Sequence, residues 1–138
     1  MAGPNNLSIT ATDVAPVLVI EQTTAPAHEA IDAGEMVYLV AATGKLGLAD
    51  QDESAPLNHP VGVAITTANA ANITVTVVRK GILDLGDALA SLNFDDIVYL
   101  SGTAGAMADG DPGNTIVVGR VVPGWGYTTA DKLLRVDL

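Results

Sequence analysis

Cysteine is absent from this chain of 138 residues, which removes disulfides, thiolate metal sites and cysteine nucleophiles together. Aromatic residues make up only 4 % of a sequence that is 49 % hydrophobic, so its apolar mass is Ala, Val, Leu and Ile. Such a composition packs strands but offers few stacking platforms for sugars or bases. Basic residues are scarce as well: six Lys and Arg stand against sixteen Asp and Glu, a formal charge of −10. They are scattered, with Arg79-Lys80 the one adjacent pair, and a phosphate backbone would be repelled; no nucleic-acid partner is expected. Long hydrophobic runs are missing too. Val14 to Ile20 is the longest candidate and holds Pro16, far short of the roughly 18 apolar residues of a membrane helix, so no membrane partner is expected. The opening Met1-Ala2-Gly3-Pro4-Asn5-Asn6 has neither the basic region nor the apolar core of a signal peptide, which points to synthesis in a cytoplasm.

What the chain does have is an internal repeat. Val37-Tyr38-Leu39, followed by Gly44, recurs 61 residues later as Val98-Tyr99-Leu100, followed by Gly105. Gly34-Glu35-Met36 aligns with Asp95-Asp96-Ile97, Ala49 to Asp52 with Ala108 to Asp111, and Val61-Gly62 with Val118-Gly119. The closing segments Ile73 to Val78 and Leu133 to Leu138, 60 residues apart, both alternate as half-buried strands do. Two copies are too few for a solenoid, which needs three or more stacked units. The expected fold is therefore mainly β: a small pseudo-symmetric β-barrel or β-sandwich built from two related repeats, with at most one short helix.

The length fits one domain that can fold without staples. Repeat one spans 34–78, a connection 79–94, and repeat two 95–138. Residues 1–33 lie outside the repeat as an extended N-terminal arm or added strand, because Pro4, Pro16 and Pro26 forbid a long helix. In the connection, Asp87 is an N-cap candidate ahead of Ala88 to Leu92, so one helical turn is expected there.

Reactive constellations are few. Thr43-Gly44-Lys45 fails as a phosphate loop, since Leu39 stands where the pattern needs glycine and Leu46 where it needs Ser or Thr. Ser101 to Gly105 is glycine-bearing but has no lysine. Asp50, Asp52 and Glu53, or Asp109 and Asp111, offer oxygens to a calcium ion, yet no closing glutamate follows Asp111, and turn chemistry accounts for both loops. His28 and His59 are the only imidazoles and lie in separate proline-bearing loops, poor material for zinc. No Gly-x-Ser-x-Gly marks Ser8, Ser54, Ser91 or Ser101 as a nucleophile, and Asp84, Asp87, Asp95 and Asp96 read as caps and loop charges. No catalytic residue, cofactor site or metal site is assigned, and no enzymatic activity is expected. Trp125, between Gly124 and Gly126, reads either as an interface anchor or as a core residue.

From Gly34 onward the order of motifs carries a resemblance. A glycine-led Val-Tyr-Leu strand is followed by Val61 to Ala64, then an alternating strand into Arg79-Lys80-Gly81-Ile82-Leu83, then Asp95 to Leu100 with its Gly-Thr-Ala-Gly loop, then Val118 to Val121, and last Leu134 to Leu138. This resembles the head decoration, or capsid cement, proteins of tailed bacteriophages, over roughly three-quarters of the chain. The resemblance implies a β-rich structural protein, often trimeric, that sits on the outer capsid surface of a virion and bridges subunits of the major capsid protein. Terminal arms commonly make the attachment in such proteins, which places Leu7, Ile9 and Ala11, together with Trp125, as candidate capsid or subunit contacts. The alternative from another class is a carbohydrate-binding or adhesive β-module, which would need aromatic platforms from Phe94, Trp125, Tyr38, Tyr99 and Tyr127. A small hydrolase or isomerase would need ionisable groups converging in one pocket.

Overall fold

A computed structural model of the protein describes residues 4–126, 128 and 130–138. Nine antiparallel strands form among them: β1 (Ala15–Pro26), β2 (Met36–Leu39), β3 (Leu46–Leu48), β4 (Gly62–Ala64), β5 (Thr74–Asp84), β6 (Ile97–Leu100), β7 (Met107–Ala108), β8 (Val117–Pro123) and β9 (Lys132–Asp137). They belong to one sheet in the order β3-β2-β4-β5-β9-β8-β6-β7, with β1 paired to β5 outside that path. The sheet curls into a half-barrel, so the mainly β, barrel-like expectation holds. The helical turn expected over Asp87 to Leu92 does not form. Three successive i→i+3 bonds (Leu85 to Ala88, Asp87 to Ala90, Leu89 to Leu92) make separate turns instead, because the segment folds so as to bury Leu85, Leu89 and Leu92. A single 3-10 turn lies elsewhere, at Ala11–Asp13.

The duplication is legible in the strand order, which reads as two mirrored halves meeting at the β5–β9 pair. Register repeats as well. Tyr38 faces Gly47 and Leu39 faces Leu46 in the first half; Tyr99 faces Ala108 and Leu100 faces Met107 in the second. Val37 pairs with Gly62 and Val98 with Gly119. Even the entry turns match. Asp32 N–H donates to Glu35 Oε1 at 2.7 Å and Asn93 N–H to Asp96 Oδ2 at 2.8 Å, and the next strand then starts from a left-handed residue, Gly34 at φ 94° or Asp95 at φ 68°. The repeat thus begins a few residues upstream of the Gly34 and Asp95 boundaries. The closing strands need a correction: Val63 opposes Val78 while its counterpart Arg120 opposes Arg135, so Val78 corresponds to Arg135 rather than to Leu138. The connection from β3 to β4 is longer than that from β7 to β8, so the offset between the repeats shortens before the closing strands are reached.

The two halves are not buried alike. Val37, Leu46, Ala64, Val75 and Val77 face a smaller cluster closed by Ala27, Ile31 and Ala68. Met36, Tyr38 and Val63, on the other side of the same strands, join a larger cluster with Val98, Leu100, Val121 and Leu134 of the second half. The first half is therefore covered on both faces. In the second half Val98 and Leu100 point inward while Ile97 and Tyr99 stay partly exposed. Larger apolar area removed from water gives the first half the greater hydrophobic stabilisation.

Candidate interaction surface

The N-terminal arm has two parts with different roles. Its first part is tied to the domain: Leu7 N–H donates to the Met107 carbonyl (2.9 Å), Asn5 N–H to Asp109 Oδ1 (2.9 Å) and Asp109 N–H to the Asn5 carbonyl (3.0 Å). Asn6 accepts from the Ser101 hydroxyl and donates to Thr103 Oγ1, which gives the buried serine an acceptor for its proton while its oxygen accepts from Thr103 N–H at 3.0 Å. Leu7 and Ile9 pack against the larger core cluster, and Ala11 lines the same cleft. All three side chains are half-buried by contacts within the chain, so a capsid or subunit contact there would be made by the part of each that stays accessible. An alternating apolar segment satisfies a home sheet edge as readily as a foreign one, and sequence pattern does not separate the two.

The second part is β1. Paired with β5 along its length, it leaves its other edge open and nearly all its residues exposed. Val17, Leu18, Val19 and Ile20 follow one another along it, and Ile20 is 69 % exposed. Alternation puts Leu18 and Ile20 on one face and Val17 and Val19 on the other, so β1 offers apolar surface on both faces beside an unpaired edge. Glu21 is its only charge, held by Arg79 at 3.7 Å. Three irregularities in register, between Pro16 and Leu18 and on either side of Glu21, bend the strand and partly protect the edge.

Trp125 resolves toward the surface. It is 82 % exposed at the β8–β9 turn, where Gly124 N–H reaches the Asp131 carbonyl at 2.9 Å and Gly126 N–H the Asp131 carboxylate. Tyr127 lies outside the described residues. Of the other aromatics, Tyr38 is buried, and Phe94 carries the Lys132 ammonium 5.7 Å from its ring centroid.

Several carboxylates are occupied by local structure. Asp111 accepts the Gly113 and Thr115 N–H groups and the Thr115 hydroxyl, which hold its carboxyl below the ordinary range, the hydroxyl contributing most. Asp50 caps Asp52 N–H and Asp84 caps Gly86 N–H, both at 2.9 Å. His28 and His59 are exposed, and among the described residues no three acidic or imidazole groups gather as a metal site would require. One cleft, about 190 Å³, opens between Leu7, Ile9 and the Asp32–Glu35 turn. Burial raises the Glu35 carboxyl there, Asp32 and Glu29 add to the rise, and the bond from Asp32 N–H opposes it. A perturbed carboxyl in a cleft is the usual mark of a catalytic group. Here Asp96 does the same turn-closing work in the second repeat, which gives Glu35 a structural role, and the other ionisable group lining the cleft is Asp32. Comparison with protein families, with characterised proteins and with solved structures found no match.

Proposed function

We propose that this chain is a structural virion protein of the capsid-cement kind, which self-associates, as a trimer in the simplest form, and binds the outer surface of a tailed-phage capsid to bridge major capsid protein subunits. The observation that carries the proposal is β1: a long strand with one open edge and consecutive exposed Val17 to Ile20. Such an edge is an aggregation hazard in a free monomer and a ready template for a partner's strand. The order of motifs from Gly34 onward supports the capsid as that partner, and Trp125 adds a second exposed anchor. Assembly needs no reactive side chain. It needs a rigid sheet, and several copies presented together multiply weak contacts by effective concentration, by factors of about 100 or more.

The test is co-sedimentation of the purified chain with undecorated capsids of the phage that encodes it, followed by imaging of the capsid surface. Saturable binding with ordered density at fixed lattice positions is the expected result. Failure to bind at tens of micromolar refutes the proposal.

A further inference from the structure

On the outer side of the second half, Arg120 of β8 stands directly opposite Arg135 of β9. Like charges in facing positions destabilise a sheet, and this chain places two of its six basic residues in such a pair. Arg120 has an ion partner in Asp95, at 3.5 Å; among the described residues Arg135 has none. Both side chains are exposed, beside Val117, itself 41 % exposed. Next to them on the same side, an open concavity floored by Ile97 and Tyr99 is rimmed by Asp95, Asp96, Asp109 and Asp111. Arg120 also lines that concavity and pairs with Asp95, while Arg135 lies on its far side beside Asp137, so the face runs from a cationic margin at Arg135 to an acidic one at Asp109 and Asp111.

We propose that this face seats a second copy of the chain, the Arg120–Arg135 pair of one copy meeting the acidic margin around Asp109 of the next. Neither margin complements itself, but each complements the other. Asp95 already offsets Arg120, and a carboxylate from a neighbouring copy would do the same for Arg135. A formal charge of −10 on each copy opposes association at long range, so attraction must come from such a local match. The outer face of the first half shows what covering this kind of surface achieves: Val37 and Leu46 there are fully buried beneath Ala27, Ile31 and Ala68. Unlike margins of one face meet reciprocally in a two-fold dimer, or head to tail in a ring where the rotation closes. The inference rests on the self-association proposed above and not on the capsid.

Sedimentation velocity of the full chain, with thermal melts alongside, tests it. Arg135→Glu should weaken association by at least about tenfold, while the melt stays level or rises, because the new carboxylate faces Arg120 within the same sheet. Asp109→Lys should also weaken association and, because it removes the acceptor of Asn5 N–H, lower the melt; the chain carrying both substitutions should recover association while keeping the lower melt. A wild-type chain that stays monomeric at tens of micromolar overturns the inference, even if it still binds capsids. So does an Arg135→Glu chain that assembles as the wild type does, or one that assembles normally and loses only capsid binding. An assembled chain that ignores capsids overturns the capsid proposal and leaves this one standing.

Discussion

Ile9 and Ile20 lie eleven residues apart in one N-terminal segment, and the structure gives them opposite duties. Ile9 is half-buried on the larger core cluster, its Cγ2 directly over Gly34, so near that a Cβ at that glycine would lie 2.5 Å away. Truncating a fully buried Ile to Ala costs about 2–5 kcal/mol, and half burial scales this to about 1.5 kcal/mol. For a domain of this size that lowers the melting midpoint by about 5 °C. Ile20, 69 % exposed, contributes almost nothing to the fold, and Ile20→Asp should leave the melt within about 0.5 kcal/mol of wild type. Capsid attachment should respond in the reverse order: near normal for Ile9→Ala below its melting range, and lost for Ile20→Asp, because an uncompensated carboxylate is costly to bury at an interface. Calorimetry and co-sedimentation on the same preparations measure both quantities. An Ile9→Ala chain that melts normally but no longer binds would mean that the first part of the arm serves the partner, and the assignment of duties would be wrong.

Gly119 offers a sharper test of the β8–β9 seam. A Cβ there would sit 1.9 Å from the Arg135 carbonyl oxygen, so Gly119→Ala must separate the strands, at about 3 kcal/mol, read as a shift of the urea midpoint. Burial raises the Glu35 carboxyl above its ordinary 4.5, so the folded chain holds that proton more tightly than the unfolded chain does. The resulting stabilisation is fully present below the unfolded value and is lost as pH rises through the folded one. Glu35→Gln, which keeps a carbonyl acceptor for Asp32 N–H, should therefore melt higher than wild type at neutral pH and match it in acid; an equal melt at both pH values would refute the burial argument. Chelator should leave the melt unchanged, and a marked fall on chelation would show that the acidic turns hold an ion.

Much of the fold could be read from the chain because duplication doubles every local signal. Val-Tyr-Leu with its following glycine gave β2, β6 and their partners, since alternation and turn glycines act over a few residues. What escaped was long-range. Asp32 and Glu35, repeated as Asn93 and Asp96, form a readable turn signature, yet boundaries at Gly34 and Asp95 take in only its second half, Glu35 and Asp96, and leave out the donors Asp32 and Asn93. The helical turn at Asp87 failed because Leu85, Leu89 and Leu92 answer to the core rather than to helix spacing, a tertiary override of local preference. The attachment of Asn5 to Leu7 beside β7 depends on Met107 and Asp109, about a hundred residues away, and no local pattern encodes it. The facing arginines belong to the same class, because register across β8 and β9 places them together and sequence spacing does not.

Duplication also explains why the second half carries the open surface. Two copies of one strand pattern inherit the same alternation, yet in a single curled sheet the first and third residues of the shared strand turn inward in one half, Met36 and Tyr38, and the second and fourth in the other, Val98 and Leu100. The first half then needs a second cover for Val37 and Leu46, supplied by Ala27, Ile31 and Ala68. In the second half the segment equivalent to that cover, carrying Leu85, Leu89 and Leu92, is drawn into the larger cluster. Ile97, Tyr99 and the arginines are left outside for want of chain to cover them. An asymmetric fold of a symmetric sequence thus leaves one sheet face unpaired, and the charges on that face decide what can pair with it.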